Sequence, residues 1–220
     1  MKGNEKRKIV LSSDTHMLHE RVNWPNGDIL VHAGDMTSYG SSNELSEFIE
    51  WLEKMPYERA VIIAGNHDHI FTRDNSKARK MLLESRKTAY LEDNSCEING
   101  IRFYGTPWTF TDAYDEHWAF SQRSELDLQK KWKMIPSNDI DILVTHSPPI
   151  SILDKTWSKE NVGSASLLAE IVDRIRPKVH VFGHIHEAYG TAQKDGITFV
   201  NACLCNVDYD PVNSPVVIEI

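Results

Sequence analysis

The sequence predicts an α/β protein in which two mixed β-sheets pack face to face with helices outside them. Three observations lead there. Short continuous runs of Val, Ile and Leu suit strands covered on both faces. Amphipathic stretches with helical spacing lie between those runs, and that alternation marks the α/β class. Two pairs of apolar runs are split by turn dipeptides, which adds antiparallel hairpins to the parallel pattern.

In chain order, Lys8–Ser12 and Asp28–His32 are the first two strand runs. Asn43–Met55 follows as a helix, with Leu45, Phe48, Ile49 and Leu52 spaced three or four apart. Arg59–Ala64 is the third run, and Ser76–Arg86 is a second helix. Cys96–Ile98 and Ile101–Tyr104 form a hairpin about Asn99-Gly100. A third helix covers Glu125–Met134 and a strand covers Asp141–Thr145. The helix Ser164–Arg176 is closed by Pro177, and Lys178–Phe182 is the next strand. Ala188–Gln193 and Ile197–Ala202 flank the turn Lys194-Asp195-Gly196, and Val216–Ile220 supplies a last strand.

The chain has 220 residues, 40% of them hydrophobic, with no linker, charge block or repeat, so residues 1–220 are expected to form a single domain. Only Ile9, Val10 and Leu11 form an apolar run behind the basic N-terminal residues. That is too short for a signal peptide or a membrane helix, and a cytoplasmic protein is expected. The formal net charge of -8 argues against long nucleic acid as a partner. It leaves a small phosphate ester open, because bound metal ions invert the local field. Cys96, Cys203 and Cys205 are read as reduced, buried thiols, with Cys203 and Cys205 on one face of a strand.

The Asp, His and Asn residues are concentrated where the strand runs end. The first run leads into Asp14-Thr15-His16, the second into Gly34-Asp35, and the third into Gly65-Asn66-His67-Asp68. The later runs lead into His146-Ser147-Pro148-Pro149 and Gly183-His184-Ile185-His186. The C-terminal edge of an open α/β sheet is where ligands bind. Asp-x-His and His-x-His place two side chains on one side of extended backbone. Glycine before Asp35, Asn66 and His184 permits tight turns and close approach. Carboxylate, imidazole and amide donors without thiolate suit manganese, iron, zinc, cobalt or nickel. Seven such ligands (Asp14, His16, Asp35, Asn66, His146, His184 and His186) are too many for one ordinary site and suit two ions sharing a carboxylate.

In this order, the five motifs resemble those of the calcineurin-like metallophosphoesterases, from Lys8 to Val207. Phe103-Tyr104-Gly105-Thr106-Pro107-Trp108 and His184-Ile185-His186-Glu187-Ala188-Tyr189-Gly190 are similar to the small metallophosphoesterase-domain proteins grouped with class III cyclic-nucleotide phosphodiesterases. The resemblance implies a four-layer αββα sandwich and two divalent transition-metal ions, manganese first among the candidates. It places Asp14, His16 and His186 on one ion, Asn66, His146 and His184 on the other, and Asp35 between them. It gives His67 the substrate phosphate and Asp68 a supporting place behind it. The implied reaction is hydrolysis of a small phosphodiester, cyclic nucleotides included, by hydroxide held between the two ions. A phosphomonoesterase, a nuclease and a slow metal-binding scaffold are the alternatives, and the acidic balance disfavours the nuclease.

Five further histidines fall outside the ligand positions. His32 and His180 lie within apolar strands and are expected to be hydrogen-bonded structural residues; His69 is placed at the surface or behind the ligands, with a pocket wall as the alternative, His117 is read as a loop residue, and His19 lies outside the motifs. Trp108, Trp118 and Trp157 lie in loops, as anchors by default or as surfaces for a base or aryl leaving group. Glu44, Glu47, Glu50 and Glu53 are read as a solvated helix face. Substrate preference is assigned to the loops Thr106–Phe120 and Ile150–Val162.

Overall fold

A computed structural model describes residues 6–111, 118–137 and 139–220. The first sheet has five strands: β1 (Lys8–Ser12), β2 (Ile29–Ala33), β3 (Arg59–Ile63), β4 (Thr88–Tyr90) and β13 (Val216–Glu219), in the order β13-β1-β2-β3-β4. All neighbours are parallel except β13, which runs antiparallel to β1. The second sheet has six strands: β5 (Asn94–Ile98), β6 (Ile101–Thr106), β9 (Ile142–Thr145), β10 (Val179–Phe182), β11 (Gly190–Lys194) and β12 (Ile197–Asn201). Their order is β11-β12-β10-β9-β6-β5, with hairpins at both edges around a parallel centre. A short parallel pair, β7 (Thr109–Phe110) and β8 (Ser121–Gln122), stands apart.

The period of two along each strand sorts residues into layers. Ile9, Leu11, Val31, Val61 and Ile63 of the first sheet meet Phe103, Ile142, Val144, Val181 and Val200 of the second in one buried core. The alternate residues Val10, Leu30 and Ile62 face a second core under α1 (Ser42–Lys54), the single turn α2 (Ile70–Arg73) and α3 (Asn75–Glu84). Leu143, Phe182 and Phe199 face a third under α4 (Glu125–Trp132) and α5 (Ala165–Glu170). Helix, sheet, sheet, helix is therefore the layer order, the αββα sandwich expected from the sequence.

Each main helix starts at a residue suited to the cap. Ser41 Oγ accepts from the Glu44 N–H while the Glu44 carboxylate accepts from the Ser41 N–H, a reciprocal capping box worth about 1 kcal/mol. Glu44 is thus engaged, and Glu53 accepts from the Ser85 hydroxyl, so only part of that acidic face is free for solvent. Asp74, Ser124 and Ser164 cap α3, α4 and α5. The helix expected over Ser164–Arg176 is α-helical to Glu170 and then widens into a π turn over Ile171–Ile175. It ends at Arg176 in left-handed geometry, before Pro177. The Arg174 guanidinium in that turn donates to the Trp132 and Ile135 carbonyls and ties α5 to the end of α4.

Cys203 and Cys205 lie in isolated bridges rather than in a strand. Both are buried, while Cys96 is half-buried. No helix among the described residues is long and apolar enough to cross a membrane.

His32 and His180 are wholly buried and hydrogen-bonded, to the Thr15 and Thr145 hydroxyls at 3.0 and 2.8 Å. Burial pushes His180 down to about 3, so the folded chain keeps the ring neutral, whereas an unfolded imidazole titrates near 6.5. Its contribution is complete above pH 6.5 and declines as pH falls from there toward 3. At about pH 5 the loss from this residue is about 2 kcal/mol, at roughly 1.4 kcal/mol per unit. Denaturant unfolding at about pH 7.5 and 5 should show a smaller acid loss for His180→Gln than for the parent chain; equal losses would contradict the assignment.

Candidate metal centre

The C-terminal ends of β1, β2 and β3 meet those of β9 and β10 along the seam between the sheets. Asp14 N donates to Gly34 O at 2.9 Å, and Gly183 N donates to His146 O at 3.0 Å. His146 crosses the seam, its Nδ1–H donating to Ala33 O at 2.8 Å. That bond fixes the tautomer and leaves the Nε2 lone pair inward. Nε2 then lies 3.0 Å from Asn66 Oδ1 and 3.3 Å from Asp35 Oδ2. Three acceptors at those distances require a cation among them, either a proton or a metal ion.

The same device recurs on the other side. His186 Nδ1–H donates to Asn206 O at 2.8 Å, which turns Nε2 toward Asp14 Oδ1 at 3.4 Å and His16 Nε2 at 3.3 Å. His16 Nε2 is also 3.9 Å from Asp35 Oδ2, and its Nδ1 is buried without a partner. The donor atoms of Asp14, His16 and His186 lie within 4.8 Å of one another, as do those of Asp14, Asp35 and His146, and of His16, Asp35 and His67. His184 joins through its ring, 5.1 Å from that of His146, and its N–H donates to both Asp14 oxygens. All seven residues singled out as ligands are therefore gathered in one cluster.

Electrostatics show what the cluster lacks. Asp14 and Asp35 are fully buried, which by itself raises a carboxyl, yet the surrounding imidazoles hold both well below the usual range. Burial also opposes protonation of His146, but Asp35, Asp14 and the Ala33 carbonyl together outweigh it and raise that ring to about 9. His186 is raised in the same way by Asp14. His16, with burial dominant, falls to about 4. The two carboxylates thus favour positive charge at His146 and His186, the same field that would draw metal ions to the cluster. The converging lone pairs and the oxygen and nitrogen donors fit divalent cations of the borderline class.

Backbone geometry is tuned to this convergence. Asp14, His16, Asp35 and His184 have φ of 53°, 41°, 55° and 71°. Asp and His tolerate that left-handed region better than most residues, and such strain gathers at functional sites. Two glycines give clearance. A Cβ at Gly65 would stand 2.2 Å from Asp35 Oδ1, and one at Gly183 would stand 2.0 Å from Asp14 Oδ2.

His67 Nδ1–H donates to Ser38 O at 2.9 Å, leaving Nε2 free of the backbone. The structure puts the Asp68 carboxylate behind the loops rather than on the His67 ring. Its oxygens accept from Gly65 N, Asp35 N, Met36 N, Thr37 N and Thr37 Oγ1, at 2.6–3.4 Å. Burial, reinforced by Asp35, raises Asp68 to about 6.

Trp118, 43% exposed, lies with its ring 4.6 Å from His67 and stacked on His69 at 5.8 Å. Trp108 is a loop anchor, its indole N–H on Asp93 and its ring under Lys131. Trp157 is exposed, and His19 packs on Phe48 and Trp51. His117 lies outside the described residues.

Several contributors escaped the sequence reading. Ser38, Ala33 and Asn206 orient rings through carbonyls, which leave no trace in residue type. Tyr209, at φ 61°, packs edge-on against His16 at 4.7 Å and lies 6.1 Å from His67. Cys203 Sγ donates to Asp14 Oδ2 at 3.0 Å, so that thiol helps hold a candidate ligand.

A model of the calcineurin-like phosphoesterase family matches residues 7–188. Metallophosphoesterase domain-containing protein 1 of Homo sapiens is 37% identical across 97% of this chain and 71% of its own length. A protein of Rhodococcus erythropolis named a probable cyclic nucleotide phosphodiesterase is 24% identical across 72% of this chain and 51% of its own. The crystal structure of TT1561 of Thermus thermophilus shares the fold, with TM-score 0.63, 15% identity, and 89% and 88% of the two chains covered. The chain belongs to the calcineurin-like phosphoesterase family, the metal-dependent phosphoester hydrolases.

Asp68→Asn should be severe, because an amide NH2 would face N–H groups that need an acceptor. At about 1–3 kcal/mol per buried group left unsatisfied, a loss of several kcal/mol in unfolding free energy is expected, together with weaker metal uptake. Near-parental stability in denaturant titration would show that Asp68 does not hold these loops.

Proposed function

We propose that this chain hydrolyses small phosphodiesters at a binuclear centre, with Asp14, His16 and His186 on one ion, Asn66, His146 and His184 on the other, and Asp35 shared. The observation that carries it is the meeting of acceptor atoms from Asp14, His16, Asp35, Asn66, His146 and His186 at 3–4 Å, each ring of His146 and His186 turned inward by a carbonyl behind it. A pair of divalent cations there supplies Lewis acidity toward phosphoryl oxygens and acidifies water, giving a nucleophile near neutral pH. Manganese is the first choice, with iron, zinc, cobalt or nickel able to use the same donors.

The chain's own groups do the rest. Ser38 O anchors His67 Nδ1, so Nε2 is the nitrogen that can face substrate. In the protonated ring, Nε2–H donates to a phosphoryl oxygen or to the departing alkoxide, where negative charge grows. Asp68 fixes the loops that carry Asp35 and His67, acting through the backbone. Trp118 and Tyr209 flank His67 with aromatic surface suited to an organic leaving group. A diester is favoured over a monoester by the Rhodococcus relative's name and by this apolar flank. A single domain over residues 1–220, a cytoplasmic setting and a small phosphate ester rather than long nucleic acid complete the proposal, the last consistent with the net charge of -8.

Chelation should abolish hydrolysis of bis(4-nitrophenyl) phosphate and lower the melting temperature, with manganese restoring both. His67→Ala should lose about 10²–10⁴-fold in kcat while binding as much metal as the parent chain. Because His67 also lies within 4.8 Å of His16 and Asp35, loss of metal in that variant would make it a ligand instead.

A further inference from the structure

A cavity of about 530 Å³ opens beside the centre, and the ring-bearing residue His184 is part of its wall. Its volume falls in the range of small-molecule sites. Phe110 comes from one of the two loops assigned to substrate preference, and Thr156, Asn161 and Val162 come from the other. Ile185 and Ser147, the residues after His184 and His146, also line it. Phe110 and Val162 leave 43% and 40% of their surface exposed, so the cavity offers uncovered apolar area directly beside a candidate ligand.

Its chemistry is selective. No Lys or Arg is among the described residues that line it. The one acid, Glu125, is committed: its Oε1 accepts from Ser164 Oγ, Ser166 N and Ser166 Oγ at 2.7, 2.6 and 2.7 Å. A second phosphate placed here would find a carboxylate and no cation. An uncharged group, part aromatic or aliphatic and part hydroxyl-bearing, would find Phe110, Val162 and Ile185 together with the Ser147 hydroxyl.

None of the residues lining this cavity belongs to the aromatic flank formed by Trp118 and Tyr209 around His67. Two separate organic surfaces thus adjoin one centre. A phosphomonoester or a cyclic diester carries one organic substituent and an acyclic diester carries two. Resting on the phosphodiester activity proposed above, we propose that the cavity walled by Phe110, Val162, Ile185 and His184 seats the retained substituent of the diester, and that this substituent is uncharged. The P–O bond broken is the one to the group beside His67: water supplies the new oxygen on phosphorus, the departing oxygen takes a proton, and the retained group leaves as its monoester.

The test compares two diesters with the same leaving group, bis(4-nitrophenyl) phosphate and methyl 4-nitrophenyl phosphate, on the manganese-loaded chain. Val162→Trp, which fills the cavity from an exposed loop, should lower kcat/KM for the bis-aryl ester at least about tenfold, through KM, and leave the methyl ester within about twofold. Thr156→Trp, from the same loop, should repeat the split if the first variant folds poorly. Calorimetric binding of diphenyl phosphate should weaken in the same variants, and that of dimethyl phosphate should not. Equal losses on both esters, or no loss on either, overturn the assignment of the cavity. If the parent chain cleaves neither diester but does cleave 4-nitrophenyl phosphate, the phosphodiesterase activity itself falls, and the cavity assignment with it.

Discussion

The interaction on which the rest depends is the approach of His146 to Asp35 across the seam between the sheets. His146 leaves the end of β9, donates to the last carbonyl of β2, and meets the carboxylate that follows β2 at 3.3 Å. One side chain thereby ties one sheet to the other at the point where the ligands collect. It also creates the electrostatic demand of the site. Two carboxylates buried among imidazoles are tolerable only with compensating positive charge, since an unpaired buried charge costs several kcal/mol. The carboxylates favour the protonated forms of His146 and His186, which answers part of that demand. Divalent ions would meet it better, because each offers two charges to several acceptors at once.

That arrangement has a conformational cost, and the sandwich absorbs it. Asp14, His16, Asp35 and His184 sit in left-handed backbone at roughly 1–2 kcal/mol each. Each lies within four residues of the end of a strand that is paired on both sides. The strands are anchored by a core whose members are almost all fully buried. Asp68 then gathers the loose amides of two of the turns onto one carboxylate. Rigid strands and one acceptor behind the loops thus hold a geometry that the loops alone would relax.

Much of this was legible in the sequence, for identifiable reasons. The strands that carry the site are continuous Val/Ile/Leu runs because both faces are covered, and their ends showed as abrupt changes to Asp, His, Asn and Gly. The long helices showed through their apolar spacing and caps such as Ser41 with Glu44. What stayed hidden has no side-chain signature. β4 is three half-buried residues, Thr88–Tyr90, too few to display a period. The carbonyls of Ala33, Ser38 and Asn206 orient three rings, yet any residue could supply a carbonyl. Asp68 beside His67 invited pairing with its neighbour in sequence, whereas its partners lie on the 35–37 loop and at Gly65. Cys203 and Cys205 looked like alternate residues of a strand, but the chain there makes single bridges, and one thiol turns onto Asp14. Tyr209 was invisible because its contacts with His16 and His67 span most of the chain.

The most direct test of the central claim is a crystal structure of the manganese-loaded chain with anomalous difference maps collected at the manganese edge. The account predicts two peaks in the seam, one contacting Asp14, His16 and His186, the other contacting Asn66, His146 and His184, with Asp35 touching both. A single peak, or two peaks of which Asp35 contacts only one, would contradict it.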